Sequence, residues 1–183
     1  MTIRLPPVIG HRGAAARAPE NTLAGLRRAK ALGCAWVEFD VRLTADGTLV
    51  LCHDARLDRT TDRTGPVASQ SLSTIRQSDA GSWFGPVFAG EPVPTLNEAM
   101  ALAVELDLGV NIEMKADPGR EYATAAAVAV ALRRLGPRPP LFVSSFLPNA
   151  VAVLRDLAPR TVRGLLLRSV ARGSAEIAKR LGC

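Results

Sequence analysis

The chain has 183 residues, 48% of them hydrophobic and 22% charged, enough for one domain to bury roughly two-thirds of its unfolded surface and without a low-complexity tract that would signal disorder. Lys and Arg exceed Asp and Glu by six, but the basic residues are scattered over helix-like segments and only 4% of side chains are aromatic. This excludes a base-stacking nucleic-acid platform and leaves solvated basic faces or a phosphate-bearing small-molecule partner. Cys34, Cys52 and Cys183 are too widely spaced for a zinc site or a disulfide framework, and no apolar run approaches the roughly 20 residues of a membrane span. The expectation is a soluble cytoplasmic chain without membrane insertion.

In chain order, short β-branched runs alternate with helical patterns, the sign of βα units around a parallel sheet. A first strand is predicted at Pro7 to His11 and a helix from about Asn21 to Leu32, with Leu23, Leu26 and Ala29 on one face and Gly33 as the stop. A second strand spans Trp36 to Leu43. Too few residues separate Asp40 from His53 for a parallel crossover, so a hairpin is expected, with Asp46-Gly47 as a two-residue turn. That register sets Asp40 opposite His53. Residues 54–93 carry Pro, Gly, Ser and Asp punctuation with a helical piece only near Leu72 to Ser78, and read as an insertion subdomain over one end of the sheet.

Beyond it, Thr95 and Glu98 have capping-box spacing at the start of a helix through Ala99, Leu102, Ala103 and Leu106. Strands follow at Gly109 to Lys115, Leu141 to Ser145 and Arg163 to Leu167, with helices at Glu121 to Leu135 and Ser174 to Leu181. An eight-stranded barrel takes about 250 residues. Five strands in 183 residues therefore give a barrel domain over 1–183 whose closing strands are expected to lie outside this chain. Open sheet edges and apolar residues facing a gap, such as Val8, Leu165 and Leu167, are expected with it.

Glu38 and Asp40 lie two apart on one strand and so share a face, and Asn111, Glu113 and Lys115 repeat the device on another. Carboxylates crowded on an inward face repel unless a cation lies between them, and three of them make a hard-oxygen site for one Mg²⁺ or Ca²⁺. Exposed surface carboxylates are the plain alternative. Active sites in barrels of this kind gather at the carboxyl ends of strands. The two histidines, His11 and His53, both fall at such ends, either as hydrogen-bonded structural residues or as a general acid and base. Arg12 suits bidentate phosphate binding or an ion pair.

The runs His11-Arg12-Gly13, Ala18-Pro19-Glu20-Asn21-Thr22, Glu38-Phe39-Asp40-Val41, Asp46-Gly47 through His53-Asp54, Leu57-Asp58-Arg59-Thr60-Thr61, Pro94-Thr95-Leu96-Asn97-Glu98 and Asn111-Ile112-Glu113-Met114-Lys115 occur in an order and spacing that closely resembles the glycerophosphodiester phosphodiesterase family. The resemblance runs from residue 8 to about 146. It implies a TIM-type (β/α)8 barrel with an insertion after strand two, and a phosphoric diester hydrolase that splits glycerophosphodiesters into an alcohol and glycerol 3-phosphate. It further implies Glu38, Asp40 and Glu113 as ligands of one divalent cation, His11 and His53 as the acid/base pair, and Arg12 and Lys115 as phosphate contacts. Glu20, Asn21 and Asp54 match family positions too, and helix capping is the role expected of Asn21. Family members continue through three further strands, one bearing a tryptophan, that nothing in this sequence matches. Two other functions compete: a phospholipase-type relative using the Trp83-Phe84 and Val87-Phe88 pairs as an apolar rim, and a non-catalytic binding module.

Overall fold

The computed structural model describes residues 3–136 and 138–183. Helix α1 (Leu23–Ala31) begins where Thr22 Oγ1 accepts the Gly25 N–H at 3.0 Å, and Gly33 follows its end at φ 88°. The cap is thus Thr22, one residue past the expected start, because its hydroxyl reaches the third residue onward as an N-cap must. Strand β1 (Trp36–Leu43) has the predicted bounds. The predicted first strand, Pro7 to His11, shrinks to a single parallel bridge between Gly10 and Val37. Pro6 and Pro7 have no N–H to give a ladder, and the chain turns from His11 onward.

Strand β2 (Leu49–Leu51) pairs antiparallel to β1 with Val41 opposite Leu51 and Leu43 opposite Leu49. This corrects the expected hairpin register by one residue. The loop holds three residues, Ala45 to Gly47, with Gly47 at φ 81°, the left-handed position such loops reserve for glycine. Thr44 closes it by accepting the Thr48 N–H on Oγ1 at 2.9 Å. Cys52, which donates its N–H to the Asp40 carbonyl at 3.1 Å, stands where His53 was expected.

Residues 54–93 form a compact excursion with one short helix, α2 (Leu72–Ile75), and two 3-10 turns. Leu57, Val67, Ile75, Ala80 and Val93 bury together against Val50 and Cys52. Helix α3 (Leu96–Glu105) carries the expected capping box, with Thr95 and Glu98 each accepting the other's backbone N–H. Strand β3 (Gly109–Met114), helix α4 (Glu121–Arg134), strand β4 (Leu141–Ser145), helix α5 (Pro148–Leu157), strand β5 (Arg163–Leu165) and helix α6 (Ser174–Arg180) follow. Helix α5 lies in a stretch without a predicted element; Pro148 opens it, and Ala150, Val151 and Leu154 are its buried side.

The five strands form one sheet in the order β2-β1-β3-β4-β5, parallel except for β2. This is the TIM-type βα arrangement as far as it extends, with β2 and β5 outermost; the expected open edge at β2 is covered by Pro94 and Thr95, where the Leu51 N–H meets the Pro94 carbonyl at 2.8 Å. Val37, Phe39, Val41, Val110, Ile112 and Met114 are each 1% exposed or less and pack against Leu26, Met100, Val128 and Leu154 of the helices. Each such side chain contributes about 1.5–3 kcal/mol. The other face of β1 and β3 carries Glu38, Asp40, Asn111 and Glu113, which are buried too. Val8 and Leu167 are exposed, and Leu165 is half-buried.

Candidate active site

Parallel register sets Asp40 beside Glu113 and Glu38 beside Asn111. One carboxylate oxygen from each of Glu38, Asp40 and Glu113 lies within 4.8 Å of the other two. Burial first, and then the charge of Asp40, push the Glu38 carboxyl up to about 8. Glu38 Oε1 and Glu113 Oε1 are buried and accept no hydrogen bond. Acidic oxygens left without donors and crowded around one point are what a hard divalent cation satisfies, so the residues present fit such an ion.

The neighbouring charges come from two directions. Lys115 Nζ lies 2.5 Å from Glu113 Oε1, an ionic contact without hydrogen-bond geometry, and 3.4 Å from Asp40 Oδ1. Arg12 donates its backbone N–H to Glu38 Oε2 at 2.9 Å, and its Nε stands 3.4 Å from Asp40 Oδ2. A tight turn makes this possible: Arg12 is at φ 52°, and a Cβ on Gly13 would sit 2.7 Å from the Gly25 carbonyl carbon. Only glycine lets the turn lie against α1 in this way.

Asn21 is 4% exposed, at φ 56°, and does not cap the helix. Its side chain donates to Asp40 Oδ2 at 2.9 Å and accepts the Asp40 N–H at 3.0 Å. The capping role expected of it therefore belongs to Thr22, and Asn21 holds a candidate ligand. One signal in the sequence points that way: Asn is among the few residues that tolerate a left-handed backbone, and the Thr22 beside it is an equally good cap.

His11 and His53 differ. The His11 side chain is 69% exposed, with Nε2 4.0 Å from Glu38 Oε2. His53 is tied at both ends: its carbonyl accepts from Arg42 Nε at 3.0 Å, and its Nδ1 lies 2.7 Å from Asp54 Oδ1. The Arg59 hydrogen bonds, helped by His53, hold the Asp54 carboxyl well below the usual range, so Asp54 accepts and Nδ1 carries the proton. Burial opposes ionisation of Glu20, but hydrogen bonds from Arg59 and Arg12 outweigh it and keep that carboxyl below the usual range as well.

Trp83, Phe84 and Phe88 stack edge to face on one another within the insertion, and the Trp83 indole donates to the Ala80 carbonyl. Trp83 and Val87 remain exposed. A cavity of about 500 Å³ lined by Leu132, Arg138 and Leu157 lies at the loops entering β4 and β5, the opposite end of the strands, and holds none of the site residues. Among the described residues, no helix is long and apolar enough to cross a membrane.

Buried carboxylates on neighbouring parallel βα strands, with an arginine, a lysine and two histidines close by, make this a barrel-type protein with an acidic cluster that fits a divalent cation. The chain belongs to the glycerophosphoryl diester phosphodiesterase family, whose pattern matches residues 11–182. It is 40% identical over 163 residues to a glycerophosphodiester phosphodiesterase of Caldanaerobacter subterraneus subsp. tengcongensis, covering 87% of this chain and 65% of that one. Bovine glycerophosphodiester phosphodiesterase 1 is 36% identical over 166 residues, covering 87% of this chain and 48% of that protein. The chain thus spans about half to two-thirds of the length of these relatives. An Oleispira antarctica phosphodiesterase solved in complex with the product sn-glycerol-3-phosphate superposes with a TM-score of 0.95 at 40% identity, over 98% of this chain and 73% of that one.

Proposed function

We propose that this protein hydrolyses glycerophosphodiesters to an alcohol and glycerol 3-phosphate, with one divalent cation, Mg²⁺ or Ca²⁺, held by Glu38, Asp40 and Glu113. The observation that carries this reading is the trio of buried carboxylates whose oxygens crowd one point, with Glu38 Oε1 accepting no hydrogen bond. The product bound in the Oleispira relative supports the substrate class. A phosphodiester resists attack because its own negative charge repels nucleophiles. The cation would supply Lewis-acid polarisation of the phosphoryl oxygens. Arg12 and Lys115, already beside the trio, add positive charge where the phosphate oxygens would lie.

Proton transfer falls to His11 and His53. With Nδ1 of His53 bonded to ionised Asp54, its Nε2 is the nitrogen left to exchange a proton, and the aspartate stabilises the imidazolium that results. His11, exposed beside Glu38, is free to serve the other side of the phosphate. Arg42, by fixing the His53 carbonyl, holds that group to β1. The three free cysteines support a reducing, cytoplasmic setting.

The test is release of choline and glycerol 3-phosphate from glycerophosphocholine with added Mg²⁺ or Ca²⁺ and with excess EDTA. Metal-restored turnover is the expected result. Full activity in EDTA would remove the cation from the mechanism, and no turnover with either metal would leave the family's fold without its chemistry. Cleavage of an intact lipid head group in preference would favour the phospholipase-type alternative.

A further inference from the structure

We propose that Arg59 is a positioning residue for this reaction: its one guanidinium locks Asp54 against the His53 imidazole and Glu20 against Arg12, so that the proton-transfer group and the phosphate-binding arm are set relative to each other. The inference rests on the function proposed above, and the geometry that points to it is independent of any bound ion. Arg59 donates from Nε and Nη2 to Asp54 at 2.7 and 3.2 Å, and from Nη1 and Nη2 to Glu20 at 2.9 and 2.8 Å. Neither carboxylate ends there. Asp54 Oδ1 is 2.7 Å from His53 Nδ1, and Glu20 Oε1 accepts from Arg12 Nη1 at 2.8 Å. The result is a chain of alternating charge, Arg12 to Glu20 to Arg59 to Asp54 to His53, running from the loop before α1 to the loop after β2.

The Arg59 side chain is 44% exposed and that of Glu20 11%, so a guanidinium reachable by solvent holds a carboxylate that is nearly buried. What the arrangement gives is direction: a planar fork spanning two carboxylates fixes both in orientation, which an ammonium on a flexible stem does not. Asp54 is the side chain that fixes the His53 ring among the described residues, so its own orientation decides where Nε2 points.

The chain's two histidines make the test direct. Nitrogen-15 imidazole spectra, assigned with His11→Asn, should show His53 as one tautomer protonated at Nδ1. Arg59→Gln should turn it into a tautomer mixture and lower kcat on glycerophosphocholine roughly tenfold to hundredfold, the scale of losing alignment at a reacting group. Arg59→Lys, which keeps the charge and loses the fork, should show the same mixture with a smaller loss. It also serves should Arg59→Gln fail to fold. A His53 spectrum unchanged in the folded variants overturns the proposal. Because the spectra need no turnover, an inactive parent chain would refute the proposed function while still deciding the role of Arg59.

Discussion

The two faces of β1 and β3 are both buried and chemically opposite. Toward the helices stand Val37, Phe39, Val41, Ile112 and Met114; toward the other side stand Glu38, Asp40, Asn111 and Glu113. A face packed with apolar side chains adds stability with every ångström² removed from water. A face packed with carboxylates costs stability, since burial and mutual repulsion disfavour the charged form, as the raised Glu38 shows. Alternation along a single strand thus places the residues that hold the fold next in sequence to the acidic cluster.

Substitutions on the two faces should therefore part company. Phe39→Ala, on the fully buried apolar face, is expected to lose about 3–5 kcal/mol, read by denaturant unfolding. Glu38→Gln, on the opposite face of the same strand, is expected to lower activity by about a hundredfold, the upper end of what partners of metal ligands cost, while the metal-free chain unfolds no more easily than its parent, because the carboxyl it replaces is disfavoured in its charged form. Calorimetric titration with Mg²⁺ and Ca²⁺ supplies the direct check. A Glu38→Gln chain that both binds metal normally and unfolds early would break the contrast between the faces.

The histidines refine the comparison within the polar end. His11→Ala and His53→Ala should each reduce kcat by about 10² or more, the ordinary scale for losing a general acid or base. The double variant should be far less than multiplicatively worse, because groups acting as a unit are not additive. Steady-state kinetics on the three variants decides it, and a variant with parental kcat removes that histidine from the reaction.

Local pattern carried most of this architecture. Aromatic and β-branched density marked β1 and β4 at their observed ends, and the Thr95 and Glu98 spacing marked the start of α3. The carboxylate trio was legible because period-two alternation forces Glu38 and Asp40 to one side. What failed was decided elsewhere in the chain. Asp46-Gly47 suits loops of two or three residues, and the choice falls to Thr44 Oγ1 and to the insertion, whose Gln70 carbonyl accepts the Ala45 N–H. Arg59 meets a glutamate 39 positions away, a pairing with no local signature. Asn21 departs from the cap its position suggests, because capping is what asparagine before a helix most often does and here its side chain goes to Asp40 instead.

The smallest expected effect concerns acid, and it separates the exposed rim of the polar end from its buried floor. Asp54 and Glu20 are both held below the usual carboxylate range, Asp54 chiefly by Arg59 and Glu20 by Arg59 and Arg12 against its burial. A carboxyl with a lowered folded-state pKa stabilises the fold while it is ionised. That contribution is fully present above the unfolded value near 4 and is lost as pH falls through the folded one. Arg59→Gln removes the main partner, so its deficit in melting temperature against the parent should be constant near neutrality and shrink as pH drops below about 4. The deficit itself should be small, since Arg59 and Asp54 are partly exposed and solvent screens such pairs. Salt should shrink it further. Thermal melts of the metal-free chains from neutral to acid pH measure this, and a deficit that grows on acidification would mean that Arg59 acts on stability through something other than these two carboxylates.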